Sequence, residues 1–198
     1  MRPLCRGGGM NVTRGIGFAV AALVFVIDQV TKLLVVRALG VDLKFVQTLI
    51  GQKLGLDGLN HVQEVLPIFD LRFVANIGVS LGLFAANSDA TRWLLVALTG
   101  AIAAGVIWWM FREKKLPDVC ALGMVLGGAL GNILDRARLG FVVDFADLHF
   151  GTWRPFLVFN VADAAITIGV LILLIRALLV RDKAAGDSPA AVENEVNA

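Results

Sequence analysis

Six polar residues that could form or support a catalytic site lie in one stretch, residues 127 to 167, whose other members are mostly apolar. They are Asn132, Asp135, Arg136, Asp144, Asn160 and Asp163. Ionisable side chains among apolar neighbours are costly unless they are paired or used, so they mark a candidate functional site. Asn160 and Asp163 are three residues apart, which places them on one face of a helix. Asp144 lies in a loop flanked by apolar residues and is expected to meet Asp163 at the same depth.

Asp144 and Asp163 are candidates for a catalytic pair. Two carboxylates held close together in an apolar setting do not both ionise easily, so one proton is shared between them. The ionised member can then take a proton from water while the protonated member polarises a carbonyl group. This chemistry is that of an aspartic hydrolase, which requires neither a metal nor a nucleophilic side chain.

The spacing leaves other roles for these acids open. They could form structural ion pairs with the arginines of the same region, which are Arg136, Arg138 and Arg154. Charges within a membrane also serve as proton relays. Asp135 and Asp147 are rival members of a catalytic pair, and spacing alone does not rank the four aspartates by role.

The composition indicates a single small membrane protein. The chain has 198 residues, of which 58% are hydrophobic and 17% charged, and its mean hydropathy is +0.78. These values are too apolar for an ordinary soluble domain. A net charge of +2 without a long basic run argues against a nucleic-acid partner. Two cysteines, two distant histidines and scattered serines give no disulfide framework, zinc site or serine triad, so we expect no metal and no cofactor.

Four apolar segments predict four transmembrane helices, at about residues 15–39, 92–111, 119–136 and 157–180. Residues 93 to 111 carry no charge and, at ~1.5 Å per residue, reach across a bilayer core of ~30 Å. The third segment contains Gly123, Gly127 and Gly131, one helical turn apart. This spacing lets helix backbones approach closely, and we favour packing over substrate contact as its role.

The elements outside the spans are expected to form a small cap. In residues 41–91 the alternation around Leu71, Phe73 and Ala75 predicts short strands. The predicted fold class is therefore an all-α integral membrane protein with four transmembrane helices and a small extracytoplasmic β-containing cap. Its parts are a cytoplasmic N-terminus at residues 1–14, a membrane domain at 15–180 and a disordered cytoplasmic tail at 181–198.

Positive charge predicts the orientation. Four spans place both termini on one side, and the densest basic segments are the N-terminus, residues 112–115 and the start of the tail. By the positive-inside rule that side is cytoplasmic. The cap at 41–91 and the loop at 137–155 then lie together at the outer face of the membrane.

Several motifs resemble, in order and spacing, those of the bacterial lipoprotein signal peptidases, the signal peptidase II family. The motifs are LGGALGNILDR, LGFVVDF and FNVADAAIT, with Asp28-Gln29-x-x-Lys32 in the first span and Asn76-x-Gly78 before the second. The likeness covers about residues 27 to 175. It implies that Asp144 and Asp163 are the catalytic aspartates.

The resemblance also implies roles for other polar residues. Asn76, Asn132, Arg136 and Asn160 match positions that line the substrate pocket of the family, and Asp28, Lys32 and Asp135 match supporting positions. Asp28 and Lys32 are four residues apart, so on a helix they can neutralise each other in lipid. A plain interhelical hydrogen bond is an equal alternative for Asn160.

The activity that the resemblance implies is removal of the signal peptide from diacylglyceryl-modified prolipoproteins, by a cut before the lipidated cysteine. The enzyme is expected to be a monomeric, multi-pass protein of the bacterial cytoplasmic membrane, surrounded by lipid, with its active site at the outer face.

Three features depart from the family pattern. Pro155 precedes Phe156 and Leu157, where the family often has Phe-Pro before x-Phe-Asn. Ser80 and Leu81 follow Asn-x-Gly, where Ala and Phe are common. Residues 47 to 64 resemble an insertion in the cap.

The sequence also allows three other classes of function. A small transporter or channel subunit would typically show an internal repeat with paired broken helices, and none is found. A structural membrane partner would need no paired acids at one depth. A peptidase using Ser80 and Lys32 is chemically conceivable, although Lys32 has Asp28 beside it.

Overall fold

The protein consists of four long helices and a small cap, as seen in a computed structural model that describes residues 8–52, 61–78 and 89–186. The helices in these ranges are α1 (Gly8–Ala38), α2 (Leu43–Gly51), α3 (Asp89–Arg112), α4 (Leu116–Leu139) and α5 (Val161–Gly186). The strands are β1 (Val62–Leu66), β2 (Phe69–Asn76) and β3 (Val142–Leu148).

Helices α1, α3, α4 and α5 are long and apolar enough to cross a membrane. The stretches that meet this description are Val12–Ala38, Asp89–Arg112, Leu116–Leu139 and Val161–Leu179. The predicted fold class, four transmembrane helices with a small β-containing cap, is confirmed.

Helix α4 is the centre of the bundle. In its apolar window 61% of the residues are buried inside the protein, against 28% in α1 and 17% in each of α3 and α5. Two of its glycines permit close contact with α1, because a Cβ at Gly123 would lie 2.4 Å from the carbonyl oxygen of Gly17 and one at Gly127 would lie 2.4 Å from that of Ala21. The packing role expected for these two glycines is therefore what the structure shows.

The cap is built on an antiparallel sheet of order β1-β2-β3. The strand pattern predicted around Phe73 corresponds to β2. The prediction that Asp144 lies in a loop is wrong, because it lies in β3, where Val74 of β2 is its cross-strand partner. Residues 142 to 147 are all buried. Their β-branched and aromatic side chains suit a buried strand, in which Val143 belongs to a core cluster with Val36 and Val46 and Phe145 to one with Val35.

Helix α2 was not predicted. The carboxylate of Asp42 caps its first turn by accepting hydrogen bonds from the backbone N–H groups of Lys44 and Phe45, at 2.9 and 3.2 Å. Val46 is fully buried on its inner face. The cap thus contains a helix as well as a sheet.

The end of α4 that carries the polar motif is held by side chains from two other helices. Gln47 of α2 donates to the carbonyl oxygens of Arg138 and Leu139, both at 3.1 Å. Arg92 of α3 donates to those of Arg136 and Ala137, at 2.7 and 2.6 Å. The last four carbonyl groups of α4, which no residue within the helix can satisfy, therefore each have a partner.

Some predictions fall partly or wholly outside the described residues. Helix α5 extends to Gly186, so the predicted tail begins as helix, and residues 187–198 lie outside the described ranges. Ser80, Leu81 and residues 53–60 of the presumed insertion also lie outside them.

Candidate active site

Asp163 and Asn160 form a reciprocal cap at the start of α5. The backbone N–H of Asp163 donates to Asn160 Oδ1 at 2.9 Å, and the backbone N–H of Asn160 donates to Asp163 Oδ2 at 3.2 Å. This is the geometry of a capping box, in which residues three apart satisfy each other's unpaired backbone groups.

Asn160 joins Asp163 to Asp144. Its side-chain amide donates to Asp144 Oδ1 at 2.7 Å and also approaches the carbonyl oxygen of Val143 at 3.3 Å. One asparagine thus contacts both carboxylates, one through its side chain and the other through its backbone. Strand β3 and helix α5 hold the two aspartates beside each other.

Asp144 is buried, with 2% of its surface exposed. Burial, and secondarily the negative charge of Asp163, raises the pKa of Asp144 to about 7. Hydrogen bonds from the side chains of Asn76 and Asn160, together with the charge of Lys32, act in the opposite direction. Near neutral pH the pair therefore readily holds one proton.

Asn76 reaches Asp144 from the end of β2. Its Nδ2 donates to Asp144 Oδ2 at 3.0 Å, while its Oδ1 accepts the backbone N–H of Gly78 at 3.2 Å. The second bond turns the amide so that its NH₂ group faces the carboxylate. The Asn-x-Gly motif therefore has a direct structural role.

A buried cluster of charges lies behind Asp163, between α1 and α4. Lys32 Nζ lies 2.8 Å from Asp28 Oδ2 and 2.8 Å from Asp135 Oδ2. The same ammonium donates to Asn132 Oδ1 at 3.2 Å, and Asn132 Nδ2 donates to Asp163 Oδ1 at 2.9 Å. The pairing of Asp28 with Lys32 that the sequence predicts is present, and through Asn132 it extends to the carboxylate of Asp163.

The rival aspartates have ionic partners. Asp135 pairs with Lys32, and Asp147 pairs with Arg72, at 2.7 Å, and with Arg154. Among the described residues, by contrast, neither Asp144 nor Asp163 is in an ion pair. This difference separates the two pairs of acids that spacing alone could not rank.

Arg136 is a cation of this site with a side-chain donor that is not used in a hydrogen bond. It interacts electrostatically with Asp144, Asp163 and Asp135. Its Nε is buried, and within the described part of the chain it has no hydrogen-bond partner. A donor left in this state is available to a ligand.

A cavity of about 300 Å³ opens beside Asp163. It lies along α5 and the loop before it, and its lining is apolar except for Asp163 and Thr167. The residues are Phe156, Leu157, Phe159, Asp163, Ala164, Thr167 and Ile168. An extended or acyl group lying here would pass directly beside the carboxylate pair.

The structure brings all nine predicted site residues into one connected region. Sequence reasoning missed Gln29 as a member. Its Nε2 donates to Asp135 Oδ1 at 3.0 Å and to Asp28 Oδ2 at 3.1 Å. Its position next to Asp28 in the Asp28-Gln29-x-x-Lys32 motif was the available signal. Among the described residues, no group of three His, Cys, Asp or Glu side chains has the arrangement of a metal site.

The alternative nucleophile system gains no support. Lys32 donates to two carboxylates and an amide, so its ammonium is used as a hydrogen-bond donor rather than as a base. Ser80 lies outside the described residues.

Fold and site together define a four-helix membrane protein that holds two interacting carboxylates, Asp144 buried and Asp163 partly exposed, where a bundle helix meets a cap strand. The family profile described as signal peptidase (SPase) II matches residues 20–179. The chain belongs to the signal peptidase II family, a family of membrane proteases, and the resemblance seen in the motifs is confirmed.

Relatives and solved structures agree with this assignment. The lipoprotein signal peptidase of Rhizorhabdus wittichii is 54% identical over 172 residues, which are 87% of this chain and 91% of the relative. That of Sphingopyxis alaskensis is 51% identical over 168 residues, 85% and 88% of the two chains. A bacterial membrane enzyme solved by the in meso method at 1.9 Å resolution is similar, with TM-score 0.62 and 26% identity over 83% of this chain and 93% of that one. A second, at 2.3 Å, has TM-score 0.65 and 24% identity over 88% and 93%.

Proposed function

We propose that this protein is an aspartic endopeptidase that removes signal peptides from diacylglyceryl-modified prolipoproteins, with Asp144 and Asp163 as its catalytic pair. The observation that carries the proposal is the contrast in pairing. Asp144 and Asp163 share Asn160 and form no ion pair among the described residues, whereas Asp28, Asp135 and Asp147 are paired with lysine or arginine.

The surroundings of the two carboxylates suggest their roles. Asp144, whose pKa lies at about 7, would hold the proton and donate it to the carbonyl oxygen of the scissile bond. Asp163, at the helix N-terminus and with N–H donors on both oxygens, would act as the base that takes a proton from water. The tetrahedral intermediate would then collapse with cleavage of the C–N bond, as Asp163 passes the proton taken from water to the leaving amine and Asp144 takes back a proton from the new carboxyl group.

Substrate would be held by the groups left without internal partners. The buried Nε of Arg136 is suited to a backbone or ester carbonyl oxygen of the substrate. The apolar cavity beside Asp163 is suited to the apolar part of the substrate. Because α5 is largely exposed along its length, acyl chains can stay in lipid while the peptide reaches the pair.

The proposed setting is the bacterial inner membrane, with both termini in the cytoplasm and the carboxylate pair at the outer face. This orientation follows from the density of basic residues at the termini and in residues 112–115. The chain would work as a monomer, with the cut before the lipidated cysteine.

The test is cleavage of a diacylglyceryl-modified lipobox peptide by purified protein in detergent. Asp144→Asn and Asp163→Asn should each abolish cleavage. Asp147→Asn is the matched control, since it also removes a buried carboxylate of β3 but one that pairs with arginines. EDTA and a serine-directed inhibitor should have no effect. Cleavage at the normal rate by Asp144→Asn or by Asp163→Asn would refute the assignment.

A further inference from the structure

Lys32 is one of two donors that fix which way the side-chain amide of Asn132 faces; the other is Asn160 Nδ2, which donates to Asn132 Oδ1 at 3.3 Å. An ammonium group only donates hydrogen bonds, so the atom of Asn132 that lies 3.2 Å from Lys32 Nζ must be its oxygen. The NH₂ group of Asn132 then points to Asp163 Oδ1, 2.9 Å away. In the flipped orientation the amide oxygen would face the carboxylate and the NH₂ group would face the ammonium, so both contacts would be lost.

Asp28 contacts the backbone of the first turn of α5, the turn that carries Asp163. Its Oδ1 accepts the N–H of Ala162, the residue before Asp163, at 2.9 Å. Its Oδ2 accepts from Lys32 at 2.8 Å. The side chain is fully buried, and α1 thereby satisfies a backbone donor of α5 that no residue within that helix can reach.

Gly131 makes this arrangement possible. A Cβ at this position would lie 2.4 Å from Asp28 Oδ2. The third glycine of the row in α4 therefore differs from Gly123 and Gly127, whose Cβ atoms would meet backbone carbonyl groups of α1. It leaves space for a side chain that contacts the active-site turn.

We propose that Lys32 and Asp28 are positioning residues of the reaction. Lys32 directs the NH₂ group of Asn132 at Asp163, and Asp28 fixes the backbone turn that carries Asp163. The proposal rests on the proposed function, in which Asp163 is the base. It differs from a purely structural tie between α1 and α4, because such a tie would affect stability without affecting the reacting carboxylate.

The kinetic test compares kcat and KM of Lys32→Met and Lys32→Arg with those of wild type, per molecule of folded protein. Lys32→Met should lower kcat by about 100-fold, the scale expected when a catalytic group is misplaced by ~1 Å, with KM unchanged. Lys32→Arg should restore part of kcat, since a guanidinium also only donates. Asp28→Asn, which keeps an oxygen for Ala162, should lose less activity than Asp28→Ala.

The pH profile gives a second signature. The charge of Lys32 favours ionised Asp144, so its removal should move the alkaline fall of kcat/KM to higher pH. Arg176→Met is the matched control, because Arg176 forms an ion pair with Asp118 between α5 and α4, away from the site. It should lower the melting temperature and leave both kcat and the pH profile unchanged. A Lys32→Met enzyme with wild-type kcat and pH profile would overturn the proposal.

Lys32→Met leaves two buried carboxylates without their cation and could fail to fold. If it does fail to fold, the double variant Lys32→Met/Asp135→Asn is assayed instead, because the net charge of its cluster equals that of wild type. A double variant with the kcat of wild type would overturn the role of Lys32 in the same way.

A spectroscopic readout separates this proposal from the proposed function. With ¹⁵N-asparagine labelling, the side-chain NH₂ signal of Asn132, identified by its loss in Asn132→Ala, should show slow hydrogen exchange in wild type and fast exchange in the Lys32 variant. If wild type cleaves no lipobox peptide, the proposed function fails, and this signal alone decides the positioning role. An unchanged signal in the variant would refute it.

Discussion

Asn76→Ala should shift the pH dependence of the enzyme without removing a catalytic group. Asn76 Nδ2 donates to Asp144 Oδ2 at 3.0 Å and favours the ionised carboxyl group. A hydrogen bond to a charged group is worth about 1.5–3 kcal/mol, and one pKa unit corresponds to about 1.4 kcal/mol. Water can partly replace the lost donor, so the lower end applies. The pKa of Asp144, about 7 in wild type, should rise to about 8 in the variant.

The sign follows from the protonation state that works. In the proposed mechanism the pair is active when it holds one proton, so kcat/KM should fall as pH rises through the pKa of Asp144 in the free enzyme. For wild type the fall should be centred at about pH 7, and for Asn76→Ala at about pH 8. The assay is kcat/KM for a lipobox peptide between pH 5 and about 9.5, each enzyme being scaled to its own maximum.

Gln47→Ala is the control for this experiment. It removes another side-chain amide at the same end of the bundle, one that caps α4 and does not touch Asp144. Its profile should match that of wild type. If the midpoint of Asn76→Ala coincides with that of wild type, either the alkaline fall does not report Asp144 or the amide does not stabilise the carboxylate.

Three further predictions concern packing and stability. Gly127→Ala should destabilise the protein by about 1–3 kcal/mol in detergent unfolding, because its Cβ would meet an α1 carbonyl, whereas Gly105→Ala, with open space around it, should be neutral or stabilising. Gly131→Ala should lower kcat more than Gly127→Ala does, measured per folded molecule, because it displaces the carboxylate of Asp28. Burial raises the pKa of Asp144 to about 7. As pH rises from about 4 to about 7, the native state therefore keeps a proton that the unfolded chain releases, and the free energy of unfolding of the wild type should fall. Asp144→Asn should lack this fall, and melting temperatures across that range would show whether it does.

The four long helices could be predicted because their signal is local. A stretch such as residues 93 to 111, without any charge, has few alternatives to a membrane span. Strand β3 was missed because in VVDFADL two aspartates interrupt the apolar residues without a regular alternation, and because its partner β2 is distant in sequence. Helix α2 was missed because nine residues of mixed character are too short for periodicity to separate helix from strand.

In the candidate site, too, contacts within one helix could be predicted and contacts between elements could not. The contact between Asp28 and Lys32 follows from their spacing of four on one helix. The contact between Asp28 and the backbone of Ala162 does not, because it depends on how α1 packs against α5. The aspartates could not be ranked from spacing because the cations that neutralise Asp147 come from β2 and from the loop after β3.

The capping box of α5 has a consequence for protein engineering. Asp163 closes the first turn of its helix and is also the proposed base, so the reactive oxygen atoms have their places only while that turn is wound. Copying two aspartates onto another helical scaffold would transplant the functional groups without their geometry. A successful graft would need a helix whose capping residue lies three positions before the base, and that residue would have to be an asparagine that also reaches the second acid.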